Sequence, residues 1–191
     1  MKKNILTAIA ILAFGFVNAQ QTRFGIKGGV SLTNFSGDAE ANSKVGFLVG
    51  GFAEIKVIER LSIQPELLFS AQGARYEYIG MDNTNLNLSY INIPVLAKFY
   101  VTKEFAVEGG PQIGFLTSAK DDGEDVKNFY KSADFGFNFG AGYNFTDNLS
   151  VGLRYTVGLS GVVDGGDYDD IDDYYDSAKN SVLALSLAYK F

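Results

Sequence analysis

The stretch from Ser132 to Leu159 decides the fold: SADFGFNFGAGYNF, then TDN, then LSVGLRYTVGL. Every second residue is apolar or aromatic, and the pattern restarts after the three polar residues. The apolar face carries Ala133, Phe135, Phe137, Phe139, Ala141, Tyr143 and Phe145, then Leu149, Val151, Leu153, Tyr155, Val157 and Leu159. Strict period-two alternation predicts two β-strands of a hairpin whose two faces meet different surroundings.

The opposite face of this hairpin holds mostly Gly, Ser, Asn and Thr, with Arg154 as its single mid-strand charge. Small polar residues suit a narrow lumen, whereas Phe, Leu and Val suit lipid. The hairpin therefore predicts part of an inside-out barrel, apolar outward and polar inward. The alternative is a soluble, lipocalin-like barrel, which would carry a more charged polar face.

The first 19 residues, MKKNILTAIAILAFGFVNA, have the features of a secretory signal peptide. Lys2 and Lys3 precede an apolar run, and Val17-Asn18-Ala19 offers a small-residue cleavage site before Gln20. An uncleaved anchor helix is the weaker interpretation, because the apolar run is about 13 residues and a membrane span needs about 20. We expect residues 20–191 to form one domain.

Composition excludes several classes of protein. The chain has no cysteine and no histidine, so disulfides, thiolate metal sites and histidine-dependent nucleophiles are absent. Without the signal peptide it has 14 basic and 22 acidic residues, a net charge of −8. No basic patch with interleaved aromatic residues occurs, which argues against a nucleic-acid partner. We expect no enzyme activity, no catalytic residue and no cofactor.

Eight alternating segments follow the signal peptide, each long enough to cross a bilayer at a tilt. They are Arg23–Thr33, Lys44–Val57, Leu61–Ala74, Leu86–Val101, Phe105–Ser118, the two strands of the hairpin, and Lys179–Phe191. Their connections alternate between short and long, as periplasmic turns and external loops do in outer-membrane barrels. The sequence thus predicts an all-β fold: an eight-stranded antiparallel transmembrane β-barrel, an up-and-down meander in the cell outer membrane.

Two sets of residues fit this pattern less well. Pro65, Pro94 and Pro111 lie inside strands, so we expect a bulge or a missing ladder bond near each, and a face switch at Pro94 is open. Leu48, Phe52, Leu68 and Leu96 would point inward. Either the lumen contains an apolar layer, or bulges shift these strands.

Six inward charges fall at similar depths from the periplasmic end: Lys27, Glu54, Glu66, Lys98, Glu108 and Arg154. Their formal charges cancel, and a narrow lumen is a poor solvent for lone ions. We expect one paired layer that plugs the barrel, with Arg154 bonded to Glu66 or Glu108. The alternative is that trapped water hydrates these charges.

The last long loop, VVDGGDYDDIDDYYDSA at Val162–Ala178, is rich in aspartate and tyrosine. Five aspartates are weak candidates for a divalent-cation site: Asp167, Asp169, Asp170, Asp172 and Asp173. The spacing lacks an ordered calcium-loop pattern, so a solvated acidic loop or a partner-binding loop are the alternatives. The acidic stretch Asp121–Lys131 is a lesser candidate of the same kind.

The sequence ends in LALSLAYKF, with Leu187, Tyr189 and Phe191 at alternating positions. These residues predict a C-terminal assembly signal of outer-membrane proteins, with no further domain beyond it. A simple lipid-facing strand would need similar residues.

With these motifs established, the chain resembles the PorT-like outer-membrane β-barrel family of Bacteroidetes. The similar stretches are IQPELLFSAQGA at Ile63–Ala74, SYINIPVLAKFY at Ser89–Tyr100, GGPQIGFLTSAK at Gly109–Lys120, DVKNFYKSADFGFNFGAGY at Asp125–Tyr143 and RYTVGLSGVVD at Arg154–Asp164. The resemblance implies an integral outer-membrane barrel, and its namesake is linked to protein secretion.

These observations give a functional expectation. We expect a monomeric, non-enzymatic barrel with a structural or interaction role, accessory to protein secretion. The expected partners are outer-membrane lipid and lipopolysaccharide, the barrel assembly machinery and secretion-system components. A small passive channel or a ligand-binding barrel is the alternative.

Overall fold

The computed structural model describes residues 22–36, 41–76, 84–162 and 179–191. Eight long strands dominate it: β1 Thr22–Ser36, β2 Ala41–Ile58, β3 Leu61–Tyr76, β4 Thr84–Tyr100, β5 Phe105–Asp121, β7 Ala133–Asn144, β8 Leu149–Gly161 and β9 Lys179–Lys190. A two-residue strand, β6 Glu124–Asp125, and a 3₁₀ turn, Lys127–Phe129, lie between β5 and β7. The predicted signal peptide, residues 1–19, and the cation-loop candidates Asp167, Asp169, Asp170, Asp172 and Asp173 lie outside the described residues.

The long strands form a closed antiparallel ring. Each pairs with its chain neighbour, β1 pairs with β9, and β4 pairs with β5, which leaves no free edge among the eight. The predicted eight-stranded up-and-down barrel is therefore confirmed. Several strands extend a few residues beyond their predicted bounds at the end with the long connections, because cross-strand pairing continues past the lipid-facing alternation. Among the described residues, no helix is long and apolar enough to cross a membrane.

The faces of the strands separate by polarity as the alternation predicts. Large apolar side chains point outward and are about half exposed, for example Phe24 at 54% and Leu153 at 52%. Lumen side chains of the same strands are buried, such as Lys27 on β1 and Arg154 on β8. The wide apolar exterior and the filled polar interior match a barrel that lies in lipid.

Two of the three short connections at one end of the barrel, here called the short-turn end, are stabilised by threonine side chains. Thr102 Oγ1 accepts the backbone N–H of Phe105 at 3.0 Å, and Thr146 Oγ1 accepts that of Leu149 at 2.9 Å. Because the hydroxyl replaces a backbone acceptor, each turn reverses the chain in few residues. At the opposite, long-loop end, β5 turns into β6 through Asp122 and Gly123, both at positive φ.

The prolines interrupt the ladder without shifting it. Paired positions are missing near Pro65 between β3 and β4 and near Pro94 and Pro111 between β4 and β5, but the register on both sides is the same. The missing bonds were expected, since proline has no N–H to donate. The face switch left open at Pro94 does not occur, because Asn92, Leu96 and Lys98 are all buried in the lumen. Register shifts lie elsewhere, between Ser89 and Tyr90 for example.

Candidate functional site: the filled lumen

Arg154 is the centre of the lumen charges. Its Nη1 lies 2.7 Å from Glu66 Oε2, and its Nη2 lies 3.0 Å from Glu66 Oε1. Lys27 Nζ reaches the same carboxylate at 2.6 Å, and Glu108 Oε1 accepts the Nε and Nη2 protons of Arg154 at 2.8 and 2.6 Å. The contact expected between Arg154 and one of two glutamates is thus made with both. The planar guanidinium fork matches two carboxylates at once.

These four charges come from alternate strands of the ring. Lys27 is on β1, Glu66 on β3, Glu108 on β5 and Arg154 on β8, so β3 and β8 face each other across the lumen. Glycine on the intervening strand makes room for them. A Cβ at Gly140 of β7 would lie 3.1 Å from Glu108 Oε1 and 2.8 Å from the Leu153 carbonyl oxygen. The small-residue face of the opening hairpin therefore admits the charged side chains.

A second group of charges surrounds Glu54 on β2. Glu54 Oε2 lies 3.6 Å from Lys98 Nζ and 3.5 Å from Lys190 Nζ, while Tyr100 donates its hydroxyl proton to Oε1 at 2.5 Å. Gln64 joins the two groups, since its Nε2 donates to Glu66 Oε1 at 2.6 Å and its Oε1 lies 3.5 Å from Lys98 Nζ. The six predicted charges thus lie in two linked groups, not in the single layer expected.

Sequence reasoning missed Lys190, Tyr100 and Gln64 as members of these groups. Lys190 is inward-facing by parity, but its partner is on β2, and only closure of β9 onto β1 brings the two together. Parity places Gln64 and Tyr100 in the lumen beside the assigned charges, but it does not identify them as partners of those charges. Because both side chains are neutral, their charge could not indicate which lumen residues they would contact.

An apolar layer shares the lumen with the charges. Phe52, Leu68 and Leu96 are at most 6% exposed, and Lys27 Nζ lies 5.6 Å from the centre of the Phe52 ring. Leu48 is half-buried on the same face. Of the two explanations offered by the sequence, the apolar layer is correct for Phe52, Leu68 and Leu96, because no register shift separates them from their charged neighbours.

A larger apolar cluster, here called the outer cluster, fills the lumen at the long-loop end. It consists of Phe35, Ala74, Leu86, Leu88, Tyr90, Leu116, Ala119 and Val162. Val126 and Tyr130, from the connection between β5 and β7, pack against it. Burial raises the pKa of Tyr130 to about 12, with nearby Asp121 adding to the shift. The connection thus folds inward as part of the lumen filling.

Polar side chains of β7, β8 and β9 outside the two charge groups are bonded to each other. Thr156 donates to Asn138 Oδ1 at 2.7 Å, and Asp134 accepts from Ser160 at 2.9 Å and from Asn180 at 2.7 Å. Asn138 is fully buried. Pairing inside the lumen satisfies groups that would otherwise need water.

The acidic stretch Asp121–Lys131 carries no metal arrangement. Within the described ranges, no group of three or more His, Cys, Asp or Glu side chains is placed to hold a metal ion. The three lumen glutamates are each engaged by cations or hydrogen-bond donors. They are therefore not available as free bases.

Leu187, Tyr189 and Phe191 all face outward at the short-turn end of β9. The backbone N–H of Phe191 donates to the carbonyl of Phe24 at 2.9 Å, and the rings of Tyr189 and Phe191 are 5.5 Å apart. The aromatic end thus lies at the seam where β9 meets β1. Its part in assembly stays a prediction.

Comparison with known proteins shows which family this barrel belongs to. The profile of the outer membrane protein beta-barrel domain matches residues 18–164. The chain belongs to this family. It is an outer-membrane protein, so the short-turn end is the periplasmic end of the barrel and the long-loop end is the external one. No curated protein sequence matches the chain.

Solved structures of outer-membrane barrels share the fold. Neisserial surface protein A is 18% identical with a TM-score of 0.59, over 88% of this chain and 97% of that one. Ail, the attachment invasion locus protein of Yersinia pestis, is 15% identical with a TM-score of 0.51, over 90% and 100%. OprG from Pseudomonas aeruginosa is 11% identical with a TM-score of 0.51, over 90% and 96%. At these identities the likeness concerns the fold alone.

Proposed function

We propose that this protein is a non-conducting, non-enzymatic outer-membrane barrel whose role is structural or interactive, accessory to protein secretion as in PorT-like proteins. The observation that carries the closed barrel is the Arg154–Glu66 pair, which spans the lumen and is buried at both ends of the contact; the secretion role follows from the PorT-like resemblance. A barrel of eight strands has an interior that side chains just fill. Function then depends on the outer surface and the loops.

The energetics of the lumen favour a closed barrel. An ion passing through the lumen would have to displace Arg154 from the carboxylates of Glu66 and Glu108, and Lys27 from that of Glu66. The hydrogen bonds that would break are 2.6–3.0 Å long. Leaving one buried charge unpaired costs about 3–5 kcal/mol. The outer cluster then adds an apolar barrier beyond the charges. Both barriers lie on the same path.

The external connection between β5 and β7 offers a surface for interaction. Tyr130 is anchored in the lumen, while Phe129 beside it is 67% exposed. An aromatic side chain held outward by an anchored neighbour is typical of a contact residue, because little rotamer freedom is lost on binding. We extend the proposal to secretion-system components as partners, beside lipid, lipopolysaccharide and the assembly machinery, with the barrel itself a monomer.

A ligand-binding or channel-like barrel is the second candidate. A cavity of about 790 Å³ opens at the periplasmic end and reaches as far as Glu54, Tyr100 and Lys190. It enters the barrel without passing the Arg154 group. The cavity thus favours binding from the periplasm over passage.

Site-specific photo-crosslinking in native membranes tests the interaction role. A crosslinker at position 129 should yield defined protein adducts that include secretion components, while a crosslinker at Phe139, which faces lipid, should yield lipid adducts. Heat-modifiable migration on gels verifies that both variants are folded. Lipid adducts alone at position 129 would reduce the proposal to a structural barrel and contradict the secretion role.

A further inference from the structure

The periplasmic cavity has a charged floor that the closed-barrel proposal does not use. Its volume of about 790 Å³ lies within the range of about 300–1,000 Å³ typical of small-molecule sites. Glu54, Ser62, Tyr100 and Lys190 line its inner part, and Lys98, which does not line the cavity, contacts Glu54. The cavity is therefore a cup that opens to the periplasm and closes on a group of charges.

The floor of the cavity has two ammonium groups and one carboxylate, and therefore a surplus of one positive charge. Lys98 and Lys190 both approach a single oxygen, Glu54 Oε2, at 3.6 and 3.5 Å. These contacts are longer than the 2.6 Å between Lys27 and Glu66 in the inner group. The other oxygen of Glu54 is occupied by the Tyr100 hydroxyl. Two ammonium groups thus share one carboxylate oxygen, and each has N–H protons left to donate.

The wall of the cavity also has a net positive charge. Its five cations are Arg23, Lys56, Arg60, Lys103 and Lys190. Its four acids are Glu54, Glu59, Glu104 and Asp147. When Lys98, which contacts Glu54, is included, six cations oppose four acids, although the whole chain has a net charge of −6. At this end of the barrel, the ion pairs among the described residues all involve Glu54, and the rim of the cavity, with four cations against three acids, has a small net positive charge that adds to the attraction of anions.

We propose that the floor of this cavity binds a small oxyanion, the carboxylate or phosphate group of a periplasmic solute, at the ammonium of Lys190 beside Glu54. An oxyanion supplies the missing negative charge and accepts the free N–H protons of Lys190, while the charge of Lys98 next to Glu54 adds to the attraction. A cation would be repelled by the surplus charge. The site needs no passage through the lumen, since the Arg154–Glu66 pair closes the barrel beyond it. It rests on the ligand-binding candidate of the proposed function, for which it names the class of ligand, and it is independent of the secretion role.

Backbone amide NMR of the full refolded barrel in micelles tests the site. Titration with inorganic phosphate, and separately with acetate, should give saturable shifts at residues 54, 98, 100 and 190, whereas choline chloride should give none. Saturation by phosphate alone identifies phosphoryl compounds, and saturation by acetate alone identifies carboxylates. Low ionic strength is needed because salt screens exposed charges. No saturable shift with either anion overturns the proposal.

Three variants separate the floor from the rim. Lys190→Gln should weaken anion binding about tenfold, the loss of one charged hydrogen bond. Glu54→Gln should tighten binding, because it removes the competing carboxylate. Lys103→Gln changes an exposed rim lysine and should alter affinity by less than about twofold, as a screened surface charge does.

The position of Lys190 in the last strand calls for a second floor variant. Lys98→Gln removes the other ammonium without touching β9, and Lys190→Arg keeps the charge. If Lys190→Gln fails to fold, as judged by heat-modifiable migration, Lys98→Gln carries the test: it removes the surplus positive charge next to Glu54 and should weaken anion binding more than Lys103→Gln does. An equal loss in Lys103→Gln and the floor variants would show diffuse attraction and contradict a defined site.

Discussion

Arg154 and Glu66, 88 positions apart in the chain, are joined by two hydrogen bonds across the full width of the barrel. Their strands, β8 and β3, stand opposite each other in the ring. Lys27 and Glu108 complete the group from β1 and β5. The lumen is therefore closed at this level by side chains from four strands, and the predictions below rest on that arrangement.

Glu66→Gln should strongly destabilise the barrel. The substitution leaves Arg154 and Lys27 without the carboxylate that both contact, and removing one partner of a buried pair costs about 3–5 kcal/mol. Denaturant unfolding of the refolded barrel measures the loss of stability. Unfolding is followed by gel migration or by tyrosine fluorescence, which is readable because the chain has no tryptophan. A matched control is Glu104→Gln in an exposed periplasmic turn, where the effect should stay below about 1 kcal/mol. Equal effects of the two variants would contradict the buried network.

Leu153→Arg should destabilise the barrel because Leu153 faces lipid near the middle of β8. Arginine at the bilayer midplane costs about 2–4 kcal/mol. Leu149→Arg is the matched control, since it lies on the same face of the same strand at the periplasmic end and should cost about 0–1 kcal/mol. Lipid-attached quenchers should also reach a probe at position 153. Quenching at 154 but not at 153 would reverse the assignment of faces.

Deleting Phe191, or changing it to alanine, should impair assembly. Phe191 is 70% exposed, and its ring packs beside that of Tyr189 at the β1–β9 seam. Phe191→Tyr keeps the aromatic ring and should assemble like the wild type, which separates the ring from the backbone bond to Phe24. The yield of the heat-modifiable folded form is the readout. Normal assembly of the deletion and of the alanine variant would count against an assembly signal.

Gly114→Ala should cost about 1–3 kcal/mol through overpacking. A Cβ at Gly114 would lie 2.6 Å from Asn92 Oδ1, a buried side chain in the lumen. Gly109→Ala on the same strand meets nothing closer than 3.4 Å and serves as the control. Combining Gly114→Ala with Asn92→Ala should recover part of the loss in a double-mutant cycle. Strict additivity of the two substitutions would contradict the predicted contact.

Period-two alternation was enough to predict the barrel, its strand number and its lipid-facing side. The reason is that a β-strand between lipid and a lumen must change polarity at every residue. Parity also assigned Lys27, Glu66, Glu108 and Arg154 to the lumen, and their opposite signs implied pairing.

The partners themselves depend on tilt and closure, which sequence spacing does not contain. Lys190 meets Glu54 only because β9 pairs with β1, which brings β9 to within two strands of β2. The outer cluster was missed for another reason. Apolar residues such as Leu86, Leu88 and Leu116 face the lumen above the lipid-facing band, where the inside-out rule predicts polar side chains. The connection that carries Tyr130 covers them, so the external end is packed like a soluble core.

Ion conductance in planar lipid bilayers tests the closed lumen most directly. The refolded wild-type barrel, with insertion verified by heat-modifiable migration after recovery, should give no current steps above the bare membrane. The expectation follows from the Arg154–Glu66 contact at 2.7 Å and the outer cluster on the same axis. Steady, ohmic current steps that scale with the amount of inserted protein would contradict the closed barrel and make the channel its function.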